Sequence, residues 1–131
     1  MGARILVIED NPTNLELMTY LLKAFGHEPV SARDGQAGVD AALQCVPDLI
    51  LCDLALPVLD GFGVARRLKS DDRLASVPLI AVTASAMVGD RDKVLATGFD
   101  GYITKPITPE SFVSEIESYL PGRAHGHDPR R

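Results

Sequence analysis

Polar side chains able to do chemistry follow four apolar runs of this chain, at the points where buried β-strands would end. In chain order they are Glu9 and Asp10 after the first of these runs, Asp53 after the second, Thr83 and Ser85 at the third, and Lys105 after the fourth. Ala84 directly follows Thr83, and Pro106 directly follows Lys105. One acid at the end of a strand is ordinary. Three acids from two strands would repel one another unless a positive group joins them.

A divalent metal ion and a phosphoryl group would account for this set of side chains. Carboxylate oxygens without histidine or cysteine suit Mg²⁺, which binds one or two of them and keeps several waters. Lys105 would add a second positive charge, and Thr83 a hydroxyl donor for the phosphoryl oxygens. Between the metal and the lysine, the Asp53 carboxylate becomes a credible nucleophile towards phosphorus.

Each of these residues also has an ordinary structural explanation when it is taken alone. Glu9 or Asp10 could be an acid at a helix N-terminus, where the helix dipole favours it. Asp53 could be a turn residue, Thr83 a β-branched strand residue and Lys105 a solvated cation. The functional interpretation therefore depends on whether the fold brings all of them to one place.

The chain alternates between apolar runs and helical patterns, which is typical of an α/β fold. The apolar runs are Ile5–Ile8, Pro29–Ala32, Leu49–Cys52, Leu79–Val82 and Tyr102–Thr104. Continuous apolar runs, as opposed to alternating ones, predict a sheet that is covered on both faces. Right-handed crossovers then give a doubly wound parallel sheet, and sites in such sheets form beyond the carboxyl ends of the strands.

Five helices are predicted from apolar spacing and from residues typical of helix ends. The first runs from Pro12 to Gly26, the second from Asp34-Gly35 to about Cys45, the third around Phe62, Ala65 and Leu68, the fourth from about Met87 to Thr97, and the fifth from Thr108 as cap and Pro109 onward. The side chains expected to face inward include Leu15, Met18, Leu22 and Phe25 in the first helix and Phe112, Ile116 and Tyr119 in the fifth. The fourth helix has a poor apolar pattern, so we expect it to be lightly held to the sheet.

The length of the chain fits one domain. Of its 131 residues, we expect 1–120 to form that domain. Residues 121–131 have no apolar period and are expected to be a flexible tail. His125 and His127 in this tail could bind a metal weakly, but solvated side chains are the simpler interpretation.

The net charge and the cysteines indicate which binding partners and which cellular location to expect. The net charge is −5 and no basic cluster precedes Arg130-Arg131, so neither nucleic acid nor a membrane is an expected partner. Cys45 and Cys52 do not form a metal-ligand or disulfide pattern, and no export signal or membrane span is found. We therefore expect reduced thiols in a cytoplasmic protein.

Four motifs together resemble those of one known family. They are "VIEDNP" with the paired acids, "DLALPVLDG" with Asp53, "AVTASA" with Thr83 and "GYITKPI" with Lys105. Over about residues 3–120 the chain resembles the receiver domain of bacterial two-component response regulators. The resemblance implies a flavodoxin-like α/β fold, a doubly wound five-stranded parallel sheet in the strand order 2-1-3-4-5 with five helices.

The resemblance also implies roles for individual residues. The implied metal site, for Mg²⁺ with Mn²⁺ as a substitute, comprises Glu9, Asp10, Asp53 and the backbone carbonyl of Ala55. The implied phosphoryl site comprises Asp53 as acceptor with Thr83, Lys105 and the backbone of Ala84 as its contacts. Tyr102 would be the aromatic switch, and the Lys105–Pro106 bond is expected to be cis.

Departures from the family pattern are few. Leu56 replaces a methionine that is often seen before the proline, and both residues are apolar and similar in volume. The small residues Ala55 and Ser85 stand two positions after Asp53 and Thr83. In the family these two positions influence how long the phosphoryl group lasts.

The resemblance further implies partners for a signalling domain that catalyses only its own phosphorylation and dephosphorylation. A histidine kinase or a histidine phosphotransfer protein would donate the phosphoryl group. A downstream protein would bind the face made by the fourth helix, the fifth strand and the fifth helix, with the first helix as the alternative surface. We favour a stand-alone regulator similar to the single-domain chemotaxis and cell-division regulators.

Three alternatives are weighed against this interpretation. A haloacid-dehalogenase-type phosphatase would need a second acid two residues after the nucleophile, where this chain has Ala55. A flavodoxin-like electron carrier would need a phosphate-binding loop after the first strand, where "EDNPTN" begins with two acids. A receiver domain excised from a larger hybrid kinase or regulator is the third alternative.

Overall fold

A computed structural model describes residues 2–84 and 88–120 of the chain. Ser85 and Met87 lie outside the described residues. So do residues 121–131, including His125 and His127, and the predicted tail therefore stays a prediction.

Five parallel strands form one sheet, and their bounds match the predicted apolar runs closely. They are β1 (Arg4–Ile8), β2 (Glu28–Ala32), β3 (Leu49–Asp53), β4 (Leu79–Thr83) and β5 (Gly101–Thr104). The strands lie in the order β2-β1-β3-β4-β5, and every neighbouring pair is parallel. The predicted order 2-1-3-4-5 is confirmed.

The centre of the sheet is covered on both faces, as the continuous apolar runs predict. All five residues of β3 and of β4 are buried. One face packs against the second, third and fourth helices through a cluster that includes Leu6, Ile50 and Leu68. The other face packs against the first and fifth helices through a cluster that includes Val7 and Phe112.

Among the described residues, four helices connect the strands and a fifth follows β5, and three of the five begin at a side chain that caps the helix. They are α1 (Pro12–Ala24), α2 (Gly35–Cys45), α3 (Gly61–Lys69), α4 (Val88–Thr97) and α5 (Pro109–Glu117). The side chains of Asn11, Asp34 and Asp60 accept backbone N–H groups from the first turns of α1, α2 and α3. The predicted cap Thr108 does occupy the N-cap position of α5, but its side chain makes no capping hydrogen bond.

Of the predicted inward-facing side chains at helix ends, Phe25 differs from expectation, whereas Tyr119 packs against the core as expected. Phe25 is 61% exposed, because α1 ends at Ala24 and Phe25 already belongs to the C-cap. The buried face of α1 is instead formed by Met18, Leu21 and Leu22. Tyr119 lies beyond the end of α5 and is half-buried.

The fourth helix is lightly held, as its sequence pattern predicts. Among the described side chains of residues 91–97, only Val94 is buried. Two cations add contacts at its surface. The Arg91 guanidinium lies 5.4 Å from the ring centroid of Tyr102, and the Lys93 ammonium lies 4.5 Å from that of Phe62.

The amino edge of the sheet, where the strands begin, is held together by paired polar groups. The His27 ring, buried just before β2, accepts the Ala3 N–H at 3.0 Å through Nδ1 and lies 2.8 Å from Glu117 Oε2 through Nε2. Asp100 Oδ2, just before β5, accepts from the Lys69 ammonium at 3.3 Å and from the Leu79 N–H at 2.8 Å. These contacts tie the ends of α3 and α5 to the starts of the strands.

None of the helices in residues 2–84 and 88–120 is long and apolar enough to cross a membrane. Cys45 and Cys52 carry free thiols.

Candidate functional site

Three carboxylates meet at the carboxyl edge of the sheet. One oxygen each from Glu9, Asp10 and Asp53 lies within 4.8 Å of the others. Asp53 is the last residue of β3, and Glu9 follows β1 and extends its pairing by donating its N–H to the Ala32 carbonyl at 3.0 Å. Two adjacent central strands therefore end side by side and deliver the three acids together. Glu9 is fully buried, Asp53 is 5% exposed and Asp10 is half-buried.

Lys105 brings one ammonium to these acids. Its Nζ lies 3.2 Å from Glu9 Oε1 and 3.2 Å from Asp53 Oδ2. The backbone of Lys105 extends the pairing of β5 with β4, since its N–H donates to the Thr83 carbonyl at 2.7 Å. The Lys105–Pro106 peptide bond is cis, as expected.

The pKa values of Glu9 and Lys105 are both shifted by burial and by the charged groups beside them. Burial raises the pKa of Glu9, and the Asp53 carboxyl raises it further, against the Asn11 N–H and the Lys105 charge, which lower it. Burial alone would lower the pKa of Lys105, but the negative charges of Asp53 and Glu9 outweigh it and raise that pKa. The site therefore keeps its lysine charged, and Glu9 and Asp53 both lie within ion-pair distance of that one ammonium.

One buried oxygen of Glu9 lacks a hydrogen bond within the described residues, and this suits the site to a cation. Glu9 Oε2 accepts the Asn11 N–H at 3.1 Å, whereas Glu9 Oε1 is buried and has no hydrogen bond of acceptable geometry within the described residues. The Lys105 ammonium lies near this oxygen only as an ion-pair partner. Clustered carboxylate oxygens with excess negative charge, and without histidine or cysteine, fit Mg²⁺.

Of the remaining predicted site residues, Ala55 contacts Asp53 directly, and the others lie on or directly after β4 and β5. Thr83 ends β4 and is 8% exposed, and Ala84 directly after it is exposed. The Ala55 N–H donates to Asp53 Oδ1 at 3.2 Å, so both Asp53 oxygens have a donor. Tyr102 is half-buried on β5, beside Ala81 of β4.

Two residues near the site were missed from the sequence. Asn11 supplies the N–H that holds Glu9 and also caps α1. Its position immediately before Pro12 is a recognisable cap pattern and could have been noticed. Arg91 lies over the Tyr102 ring, and no sequence spacing indicates that contact.

Known proteins similar to this chain carry the same architecture. A family model described as the response regulator receiver domain matches residues 5–117. The polar-differentiation response regulator DivK of Brucella anthropi is 42% identical over 120 residues, which are 92% of this chain and 98% of that protein. The protein of the same name from Brucella ovis is 41% identical over the same shares.

Solved structures agree with the family assignment. The receiver domain of a sensor histidine kinase from Pseudomonas aeruginosa PAO1, with a magnesium ion coordinated in its active site cleft, is 34% identical with a TM-score of 0.84. The alignment covers 91% of this chain and 98% of that one. The chemotaxis response regulator CheY4 of Vibrio cholerae shares the fold with a TM-score of 0.88 at 22% identity, over 92% of this chain and 100% of that one. Since the family model spans most of its length, this chain belongs to the response regulator receiver domain family.

Proposed function

We propose that this receiver domain accepts a phosphoryl group on Asp53 from the phosphohistidine of a histidine kinase or a histidine phosphotransfer protein. The observation that carries the proposal is the position of the Asp53 carboxylate. It lies between the Lys105 ammonium and the Ala55 N–H, beside the carboxylates of Glu9 and Asp10. Neither a phosphatase nor a flavin carrier is favoured by the family match.

A magnesium ion is the proposed cofactor. The proposed ligands are Glu9, Asp10, Asp53 and the backbone carbonyl of Ala55, and Mn²⁺ is expected to substitute for Mg²⁺. The clustered acids support this, as does the magnesium ion in the similar receiver domain from Pseudomonas aeruginosa. When bound, the ion supplies positive charge that offsets the repulsion between the acids and the incoming phosphoryl oxygens.

The transfer itself is a substitution at phosphorus. An Asp53 oxygen forms the new O–P bond while the N–P bond of the phosphohistidine breaks, and the bonding electron pair stays on the imidazole nitrogen. Lys105 Nζ, the Thr83 hydroxyl and the Ala84 N–H are the proposed contacts of the phosphoryl oxygens. Later attack by water on phosphorus breaks the O–P bond to Asp53, releases inorganic phosphate and returns the free carboxylate. The chain is thus a signalling domain whose only reactions are its own phosphorylation and dephosphorylation.

A downstream protein is proposed to bind the face made by α4, β5 and α5. A phosphoryl group would draw the Thr83 hydroxyl towards it and free space that the Tyr102 ring can enter. The light packing of α4 supports this, because only Val94 is buried among the described side chains of residues 91–97. Inverting a 1:99 population needs about 5.5 kcal/mol, which several charge-assisted hydrogen bonds can supply.

The similar DivK proteins support a stand-alone regulator, because the chain spans 98% of their length. A role in polar differentiation, as their names state, is the corresponding physiological proposal. Residues 1–120 would form the receiver domain and 121–131 a flexible tail, in a cytoplasmic protein. One similar structure is a receiver domain of a sensor histidine kinase, so a receiver from a larger protein is the second candidate.

Acetyl phosphate tests the proposal without a kinase. The wild-type protein should gain one phosphoryl group, detected by intact mass, only when Mg²⁺ or Mn²⁺ is present. Asp53→Asn should gain none, while Asp60→Asn, which alters a nearby capping acid, should still be phosphorylated. Stable phosphate mapped to a serine or threonine would contradict the assignment of Asp53.

A further inference from the structure

The loop that follows Asp53 contains a strained turn. It spans residues 54–60, between β3 and α3. Val58 has a φ of 71°, in the left-handed region that β-branched residues rarely adopt. The Leu59 N–H donates to the Pro57 carbonyl at 2.8 Å and so closes a three-residue turn around Val58. Because the Val58 side chain is 82% exposed, burial does not compensate for this strain.

Gly35, the first residue of α2, holds this turn from one side. A methyl group at Gly35 would overlap the carbonyl oxygen of Leu59. The Gly35 N–H also donates to the Pro57 carbonyl at 3.4 Å. Only a residue without a side chain can approach both carbonyls that flank Val58, and this approach limits where the turn can lie.

The other end of the same loop is held against Asp53. The Gly61 N–H donates to the Leu54 carbonyl at 3.0 Å, and a methyl group at Gly61 would lie 2.6 Å from the Asp53 carbonyl oxygen. Within the loop, the Ala55 N–H donates to Asp53 Oδ1 at 3.2 Å. A shift of the loop would therefore move the Ala55 N–H, which donates to the carboxylate of Asp53, the proposed phosphoryl acceptor.

We propose that Gly35 is a positioning residue for the metal and phosphoryl site. It acts through the turn at Val58 and sets the place of Ala55, whose N–H orients Asp53 and whose carbonyl is a proposed metal ligand. This inference rests on the proposed Mg²⁺-dependent function of Asp53. A strained conformation persists only where its surroundings hold it, and the contact of Gly35 with the Pro57 and Leu59 carbonyls supplies that hold.

A pair of glycine variants tests the proposal. In Gly35→Ala the added methyl displaces the Leu59 carbonyl, and Mg²⁺ affinity measured by calorimetry should fall about tenfold, as when other outer-shell partners of metal ligands are lost. Gly101→Ala is the matched control. Its methyl group would overlap the Tyr119 side chain at the amino end of β5. Gly101→Ala should therefore be less stable than wild type but keep the wild-type Mg²⁺ affinity. Equal Mg²⁺ affinity in Gly35→Ala and wild type, or equal losses in both variants, would overturn the proposal.

A measurement on the wild-type protein covers the case in which Gly35→Ala does not fold. In a magnetic resonance titration with MgCl₂, the amide signals of Gly35 and Leu59 should shift with the same midpoint as that of Ala55. The Gly101 amide should not move. Unshifted Gly35 and Leu59 signals would overturn the positioning role.

The two proposals fail in different ways. If the wild type binds Mg²⁺ and is phosphorylated on Asp53 while Gly35→Ala equals it, only the positioning role falls. If the wild type neither binds Mg²⁺ nor accepts a phosphoryl group, the proposed function falls and the positioning role with it.

Discussion

The two edges of the sheet treat charge in opposite ways. At the amino edge, Asp100 is paired with Lys69 and Glu28 with Arg4, and Glu117 accepts a hydrogen bond from the His27 ring. At the carboxyl edge, three carboxylates are clustered, and the Lys105 ammonium lies within ion-pair distance of two of them, Glu9 and Asp53. Matched pairs need no further ligand, whereas an excess of buried negative charge is relieved only by protonation or by a cation. The unbalanced edge is therefore the one that can respond to a metal ion and a phosphoryl group.

The two edges also differ in how firmly they are packed. The amino edge ties the end of α5 to β2 and to the residues before β1 through a histidine ring that is fully buried. Beside the carboxyl edge, α4 has one buried side chain among residues 91–97. A switching protein needs one part that stays in place and one that can move, and here they lie at opposite ends of the strands.

The largest effect is expected at the amino edge, from His27→Ala. The variant removes a buried ring, leaves the Ala3 N–H without its acceptor and should lower the free energy of unfolding by about 2–4 kcal/mol. Urea unfolding measures this loss. Glu117→Gln is the control, because an amide oxygen can still accept from the ring, and it should cost less than about 1 kcal/mol. A His27→Ala protein as stable as wild type would show that this edge is not the fixed part.

At the carboxyl edge, we expect the free energy of unfolding to depend on pH through Glu9. Burial and Asp53 raise the pKa of Glu9 above its ordinary value of 4.5, so the folded protein binds this proton more tightly than the unfolded chain. The stability that this group contributes is present below about pH 4.5 and is lost as the pH rises through the raised pKa, at about 1.4 kcal/mol per pH unit within that window.

Comparison with Glu9→Gln isolates this group from the other acids. Without divalent metal, wild-type stability should fall relative to the variant as the pH rises from 4.5, measured by urea unfolding in a chelating buffer. Saturating Mg²⁺ should oppose the fall, because the ion favours the carboxylate. A constant difference between the two proteins over that range would contradict the raised pKa.

Asp10→Ala should produce a smaller change and in the stabilising direction. Removing one of three close carboxylates relieves repulsion, so stability without metal should stay level or rise by up to about 1 kcal/mol. The stabilisation that Mg²⁺ adds should shrink at the same time, because the stabilisation from a bound ligand grows with the logarithm of its affinity. Thermal unfolding with and without Mg²⁺ measures both quantities. A large loss of metal-free stability would make Asp10 a structural residue.

The sequence predicts the carboxyl edge better than the amino edge, for a physical reason. Each strand ends in a polar residue directly after its apolar run, so the meeting of Glu9 with Asp53 follows from strand order alone. The pair His27–Glu117 joins residues 90 positions apart, and no local pattern indicates it. The contact of Gly35 with Leu59 likewise depends on how a helix start meets a distant loop.

Errors at helix ends have a related cause. The apolar spacing of α1 continues to Phe25, but the helix ends at Ala24 and the Phe25 side chain is exposed. Helical periodicity describes which face is apolar and not where the backbone leaves the helix. Thr108 has the right residue type for a cap, yet its side chain makes no capping bond, because that depends on a local conformation the pattern does not specify.

The smallest effect is expected beside the carboxyl edge, from loss of the contact between Arg91 of α4 and Tyr102. Arg91→Gln removes a surface cation–π contact and should cost about 0.5–1 kcal/mol at most. Because this contact joins α4 to the proposed switch residue, amide hydrogen exchange in α4 should speed up, while exchange around His27 should stay unchanged. Lys93→Gln is the matched control: it removes the cation over the Phe62 ring of α3 and leaves the Tyr102 contact in place.

The two variants separate loosening of the helix from release of the tyrosine. Both should speed exchange in α4, but only Arg91→Gln should shift the ring signals of Tyr102 in the unphosphorylated protein, because only that variant removes the cation over its ring. Exchange that speeds up equally at both edges in Arg91→Gln would mean that the sheet responds as one unit, and the division into a fixed amino edge and a mobile carboxyl edge would be wrong.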